Sequence, residues 1–230
     1  KFFFGSEIKS VLASSKHNKS INRGALSNYL LYRYVPSPDT LFEGVYKLPA
    51  GSFGYWKNGK LDIQSYYSPP DKNAFNNDFI DIKNPTNRFW DLLSSSVEKR
   101  MVGEVPFGAF LSGGIDSSAV VALMARNSSM PINTFSVGFE EGRFSELSYA
   151  RVIAKKFKTN HHELVVNPMS IIENLTKVTK FRDAPISEPS DIPIYLLALE
   201  AGKSVKMILT GEGADEVLAG YPKHQFEAYS

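Results

Sequence analysis

Asp116 sits inside the run Ser112-Gly113-Gly114-Ile115-Asp116-Ser117-Ser118, a set of hydroxyls, glycines and one carboxylate whose combined chemistry suits a phosphate. The preceding Val105 to Leu111 is short, apolar and β-capable apart from Pro106 and Gly108, and Ile115 to Ala125 is rich in Ala, Val, Leu and Met. The run therefore reads as a sharp turn from a buried strand into a helix. Backbone N–H groups left over at the helix start, with the positive end of the helix dipole, favour an anion there. Gly113 and Gly114 let backbone approach a ligand, and Ser112, Ser117 and Ser118 add hydroxyl donors. A carboxylate among phosphate oxygens repels them unless a cation intervenes, so Asp116 implies Mg²⁺. No Walker loop is present, because no G-x-x-x-x-G-K-[ST] run occurs.

Two other stretches carry chemistry. Thr210-Gly211-Glu212-Gly213-Ala214-Asp215-Glu216 places three acids directly after an apolar run. Carboxylates crowded at a strand end also suggest a cation, with Asp215 the choice for a second metal contact, Glu212 facing substrate and Glu216 starting the next helix. A solvated acidic loop is the bland alternative. Ser136-Val137-Gly138-Phe139 ends another apolar run, where Gly138 leaves space and Val137 offers backbone polar groups to a flat ring; a glycine that merely ends a strand reads equally well.

These stretches must be positioned by an alternating pattern. After Pro85, a helix presents Trp90, Leu93, Val97 and Met101 on one face, and the Val105–Leu111 strand follows. Next come strand Ile132–Gly138, helix Ser145–Phe157, strand His161–Val166, helices Met169–Phe181 and Ile192–Ala201, and strand Val205–Thr210. Strands separated by helices predict right-handed crossovers and a parallel sheet covered on both faces, with ligands beyond the strand C-termini at the switch point. The fold class is α/β, Rossmann-like. His161 and His162, adjacent on a strand, must face opposite ways and do not make a metal pair.

The first third reads differently. Lys1–Phe4, Gly44–Tyr46, Ser52–Trp56 and Ser65–Tyr67 are short, aromatic-rich antiparallel strand candidates, separated by turn signals such as Lys57-Asn58-Gly59-Lys60. Asn22 caps a predicted helix from Arg23 to Tyr34, stopped by Pro36 and Pro38. From Ser68 to Pro85, Pro, Asp and Asn replace large aliphatics, as in a linker. The expected division is residues 1–70, a linker at 71–84, and residues 85–230.

The 230 residues hold 43% hydrophobic side chains, enough for one large core or two smaller ones, and no apolar run reaches the ~18 residues of a membrane span. The sequence opens at Lys1 inside a strand-like run and stops in mid-pattern, which reads as a fragment of something longer. With no cysteine it offers no disulfide, thiolate zinc site or cysteine nucleophile, and a reducing cytoplasm fits. The net charge of +2 divides into +5 over residues 1–70 (9 basic, 4 acidic) and −3 over residues 71–230 (17 basic, 20 acidic), too little to argue for nucleic acid.

The serine–glycine run resembles the S-G-G-x-D-S pyrophosphate loop of the ATP pyrophosphatase superfamily. More closely, Val105 to Ser118 and Leu209 to Glu216 resemble the two nucleotide and substrate motifs of the class B, glutamine-dependent asparagine synthetase family, with Glu140, Glu146, Tyr149 and Ala150 similar to the segment between them. Gly5-Ser6-Glu7-Ile8-Lys9 and Thr40 to Gly51 resemble the end of that family's glutaminase domain, an α+β N-terminal-nucleophile fold. The resemblance implies that Leu111, Val137 and Gly138 meet adenosine and Ser112, Gly113, Gly114, Ile115, Asp116, Ser117 and Ser118 hold pyrophosphate. It further implies that Asp116 and Asp215 reach Mg²⁺, and that Thr210, Gly211 and Glu212 lie at the acyl-adenylate, with Asp116, Glu212 and Asp215 the catalytic set. It implies small-molecule partners: ATP, aspartate or a similar carboxylate, and glutamine or ammonia, with no nucleic acid or membrane and room for a homodimer.

The family's N-terminal cysteine and its downstream lysine match nothing in these residues, so the segment alone is expected to be inactive. A related ligase that amidates or cyclises another carboxylate shares the same ATP motifs. A non-catalytic nucleotide-binding module is the third reading, opposed by retention of Asp116, Asp215 and the loop serines and glycines.

Overall fold

The computed structural model describes residues 1–14, 19–69, 84–140 and 145–224. Backbone contacts group them into two units, Lys1–Asp81 with Thr176–Glu188, and Ile82–Leu175 with Pro189–Ser230. The linker expected at 71–84 lies outside the described residues except for Asn84.

The first unit contains α1 (Ile8–Ser14), α2 (Arg23–Tyr32) and one hairpin, β1 (Ser52–Lys57) and β2 (Lys60–Ser65). Asn22 caps α2 as its side chain suggests, Oδ1 accepting from the Ala25 N–H at 3.1 Å. The helix ends two residues before the expected Tyr34, because Arg33 turns left-handed at φ 65°. In the hairpin, Asn58 and Gly59 both have positive φ, the backbone of a tight turn whose twist suits paired strands. Lys60–Gln64 was not read as a strand, although Leu61 and Ile63 alternate after that turn.

The other three strand expectations in this unit fail. Lys1–Phe4 forms no strand among the described residues; Phe2 instead stacks on Trp56, ring centroids 4.3 Å apart. At Gly44–Tyr46 the chain turns, with Gly44 at φ 71°, and Thr40 Oγ1, itself buried, donates to Val45 O at 2.7 Å. Of Ser65–Tyr67 only Ser65 is in β2, since the Tyr66 and Tyr67 N–H groups both turn to Gly51 O. The aromatic residues there do not mark strands: Phe4, Tyr46, Tyr66 and Tyr67 are all exposed. Residues 176–188 join this unit through charge: Lys9 donates from its backbone N–H to Asp183 Oδ2 (3.1 Å) and from Nζ to Phe181 O (2.8 Å).

The second unit follows the alternating pattern: α3 (Pro85–Arg100), β3 (Phe107–Phe110), α4 (Ile115–Arg126), β4 (Asn133–Phe139), α5 (Leu147–Phe157), β5 (Asn160–Val166), α6 (Pro168–Arg182), whose residues from Thr176 onward group with the first unit, α7 (Asp191–Ala201), β6 (Met207–Leu209) and α8 (Ala214–Leu218). The four strands are parallel in the order β5-β4-β3-β6. One face carries a core of Val97 from α3, Val121, Leu123 and Met124 from α4 and Ala150 and Ala154 from α5 around Ala109 and Leu111. The opposite face packs Leu197 and Ala201 of α7 on Phe135, with Phe110, Val137 and Ile208 beside them. Helices thus cover both faces. On α3, Val97 is buried and Leu93 and Met101 are partly so, but Trp90 remains 40% exposed.

Chain order explains where a ligand fits. From β3 the chain steps to β4 and β5 on one side, then returns through α6 and α7 to β6 on the other side of β3. The direction of winding therefore reverses between β3 and β6, and the backbone diverges beyond their C-terminal ends to leave a crevice.

His161 and His162 face opposite ways. His161 Nδ1 bonds Thr134 Oγ1 (2.9 Å), which meets Thr159 Oγ1 (2.7 Å), while the His162 ring stacks on Phe135. Arg151 on α5 forks onto both Glu163 oxygens at 2.7 Å and holds that carboxyl below its usual range. Burial pulls the His161 pKa down, more than the nearby Glu163 carboxylate raises it. The unfolded chain therefore binds a proton more readily than the folded one just below the ordinary value of 6.5. Stability should be flat above that value and fall as pH drops through the window beneath it. Urea midpoints at about pH 7 and about pH 5 will differ less in His161→Gln than in the wild type.

Candidate active site

A cavity of about 580 Å³ opens at the C-terminal ends of β3, β4 and β6. Its serine–glycine side is shaped by its own hydrogen bonds. Ser117 Oγ lies 2.9 Å from Ser112 Oγ, donates to Gly114 O (3.2 Å) and accepts from the Ser112 N–H (3.3 Å), and Ser112 Oγ accepts from the Gly114 N–H (3.2 Å). Gly114 caps α4 with no side-chain bond, so the N–H groups of the first turn are not covered by a cap. The two hydroxyls hold the loop open in the form an anion would need.

Gly113 uses the positive φ open to a glycine, while the space that it and Gly138 leave is taken up by α5 and Ser145. Gly113 has φ 88°, and a Cβ on it would meet Tyr149 Cβ at 2.5 Å and Ala150 N at 2.7 Å, so the turn is pressed onto α5. Gly114 has φ −66° and needs no left-handed freedom. Gly138 points toward α5, where a Cβ would overlap Leu147, so it makes room for the helix and does not line the cavity. Gly211 brings the sides together: its Cβ would stand 2.6 Å from Ser117 N and 2.8 Å from Asp116 C. The backbone after β6 thus lies against the first turn of α4.

This contact decides which candidates meet. Leu111, Ser112, Gly114, Asp116, Ser117, Val137, Thr210, Gly211, Glu212 and Asp215 all line the cavity. Gly113, Ile115, Gly138 and Ser118 do not; Ile115 is 86% exposed, and Ser118 Oγ is buried with no hydrogen-bond partner among the described residues. Glu216 does not line it either, and accepts the Tyr221 hydroxyl at 2.8 Å. Asp215 rests on Gly220, where a Cβ would overlap its Oδ1.

Three parts of the wall were missed or given no role. Glu146, at the start of α5, faces the cavity, as do Tyr221 and a stretch of the segment entering α7 that includes Pro189, Ser190, Pro193 and Ile194. Between Asp191 and Glu200, helix α7 has only apolar residues and Tyr195, so no polar stripe marks the face turned to the crevice. Among the described residues the lining contains four carboxylates (Asp116, Glu146, Glu212, Asp215) and neither lysine nor arginine. Opposite lies an apolar wall of Phe110, Phe135, Val137 and Leu197, which suits a flat ring.

A parallel α/β sheet with its acidic crevice at the point of strand reversal defines the class of fold. The chain belongs to the asparagine synthase family, whose model matches residues 88–230, and a glutamine amidotransferase domain model matches residues 1–67. A relative from Methanocaldococcus jannaschii is 35% identical over 229 residues, 97% of this chain and 44% of that one. Asparagine synthetase [glutamine-hydrolyzing] 1 of Bacillus subtilis is 35% identical over 220 residues, 95% of this chain and 34% of its own length, and the corresponding synthetase 3 is 28% identical over 237 residues, 96% and 38%. The chain therefore spans less than half the length of these relatives.

The Gly211 approach can be tested directly. Its Cβ would strike backbone atoms, which cannot swing aside, so Gly211→Ala should cost about 1–3 kcal/mol in urea unfolding. At Gly213 nothing stands within 4 Å of a Cβ and only φ 92° is unfavourable. Gly213→Ala should cost about 1 kcal/mol and leave the Asp116–Gly211 contact intact.

Proposed function

We propose that the chain is part of a glutamine-dependent amide synthetase that activates an aspartate-like carboxylate with ATP and passes it to ammonia. Residues 1–70 would be the last part of the amidotransferase domain, 71–84 a linker and 85–230 the first part of the synthetase domain. The observation that carries the reading is the Gly211 contact, which sets Glu212 and Asp215 beside Asp116 and the serine–glycine turn in one crevice.

In the first step a carboxylate oxygen of the acceptor attacks the α-phosphorus of ATP and the bond to pyrophosphate breaks. In the second the ammonia nitrogen attacks the acyl carbon and the bond to AMP breaks, giving the amide. The protein's share is positioning and charge control. Backbone N–H groups at the start of α4 would hold the pyrophosphate, on a turn that Ser112 and Ser117 brace with their own hydroxyls; Leu111 and Val137 would border the adenosine; Thr210, Gly211 and Glu212 would face the acceptor.

The donor set fits Mg²⁺. Among the described residues the crevice lining carries carboxylates and neither lysine nor arginine, which repels polyphosphate, and Mg²⁺ is held by one or two carboxylates together with phosphates and water. Asp116 and Asp215 would be those carboxylates, and the ion would neutralise the leaving pyrophosphate. Asp116 would thus serve both metal and nucleotide.

Two substitutions in the complete protein separate the roles. Asp116→Asn should abolish acceptor-dependent exchange of pyrophosphate into ATP while shifting unfolding stability by no more than about 0.5 kcal/mol; exchange at the wild-type rate would refute the metal role. Glu212→Gln should raise the acceptor KM at least about 10-fold and spare nucleotide affinity, measured by steady-state kinetics and calorimetry. Equal losses in both would move Glu212 to the metal.

A further inference from the structure

We infer that Tyr221 and Glu216 form a clip that holds the Asp215 carboxylate at the crevice, which makes Tyr221 a positioning residue for the nucleotide's cation. The inference rests on the site reading proposed above.

Asp215 and Glu216 lie on α8, which has five residues, Ala214–Leu218, bounded by Gly213 at φ 92° and Ala219 at φ 56°. A helix this short cannot hold itself, since nucleation alone costs more than its few hydrogen bonds return. Something outside it must fix the direction of Asp215. Three contacts with the next two residues do so. The Gly220 N–H donates to Asp215 O at 3.0 Å, the absent Cβ of Gly220 leaves room for the Asp215 carboxylate, and the Tyr221 hydroxyl donates to Glu216 Oε1 at 2.8 Å. The pair 215–216 is thereby fastened to the pair 220–221, main chain to main chain and side chain to side chain.

Tyr221 also stands at the crevice, lining the same cavity as Asp215 and Glu212. Outside it are Lys223, whose Nζ lies 4.9 Å from the ring centroid, and the His224 ring at 5.3 Å. The phenol is thus held by ring contacts on its outer side and by Glu216 at its hydroxyl. Without the hydroxyl, residues 220–221 lose their side-chain tie to α8 and Asp215 can turn from the crevice.

The test follows the thermal upshift that ATP gives the chain as MgCl₂ is titrated, with calorimetry as a second reading, for the wild type, Tyr221→Phe, Glu216→Ala and Glu216→Gln. Tyr221→Phe and Glu216→Ala should each raise the Mg²⁺ concentration for half-saturation by about 10-fold, as losses behind a metal ligand commonly do. Glu216→Gln keeps an acceptor for the phenol and should remain within about 2-fold of the wild type. Wild-type Mg²⁺ dependence in both Tyr221→Phe and Glu216→Ala overturns the clip, even if the ligand-free melting temperature falls. A change in Tyr221→Phe with none in Glu216→Ala overturns it too, because the phenol would then be touching the ligand itself. If the folded wild type shows no Mg²⁺-dependent upshift with ATP, the crevice assignment fails first and the clip with it.

Discussion

One close approach organises the synthetase-like unit: the backbone of Gly211 against Asp116 and Ser117, nearer than any side chain would permit. The parallel sheet brings β3 and β6 side by side, but adjacency of strands alone leaves their exit loops free to part. The missing Cβ lets the loop after β6 settle on the first turn of α4, and this sets Glu212 and Asp215 facing the serine–glycine turn. Interior packing is dense enough that a single extra carbon at such a point must be absorbed by shifts elsewhere.

Around that contact, the two walls divide the work by chemistry. The acidic wall is assembled from loop and helix-start residues on three elements, while the apolar wall comes from strand residues and α7. Ser112 and Ser117 spend their hydroxyls on each other and on Gly114. The loop is therefore shaped before any ligand arrives, and less conformational freedom is left to lose on binding. This preorganisation suits the proposed activation of a carboxylate, in which little covalent chemistry falls to side chains.

Much of this was legible in the residues. Hydrophobic segments spaced by helices gave the order of elements and the parallel sheet, and each of the four strands falls within the span expected or one residue outside it, because the turn and helix signals between those runs delimit them. The aromatic first third was read less well. At Lys1–Phe4 and Gly44–Tyr46 the β-propensity of Phe and Tyr misleads, because it counts only where cross-strand neighbours cover the rings; Phe2 stacks on Trp56, while Phe4 and Tyr46 stay exposed. Ten of the candidate residues, Leu111, Ser112, Gly114, Asp116, Ser117, Val137, Thr210, Gly211, Glu212 and Asp215, line the crevice at the strand ends, whereas Gly113, Ile115, Ser118 and Gly138 do not, and the purpose of Gly113 and Gly138 is not visible in the sequence. A glycine that admits a ligand and one that admits a neighbouring helix look alike until the neighbour is placed. Tyr221 was missed because its partner, Glu216, had been assigned wholly to a helix start.

Gly113, Gly138 and Gly211 have a shared consequence for how this sequence can vary. Each lends its empty volume to a residue far along the chain or on another element: Tyr149 and Ala150, Leu147 and Ser145, Asp116 and Ser117. The shape of the crevice is then encoded in pairs of positions, and neither member can be exchanged by itself. A lineage drifting toward a new acceptor would find the lining residues outside these pairs open to replacement one at a time, whereas the α5 positions Leu147, Tyr149 and Ala150, which touch nothing in the crevice, would be the harder ones to alter.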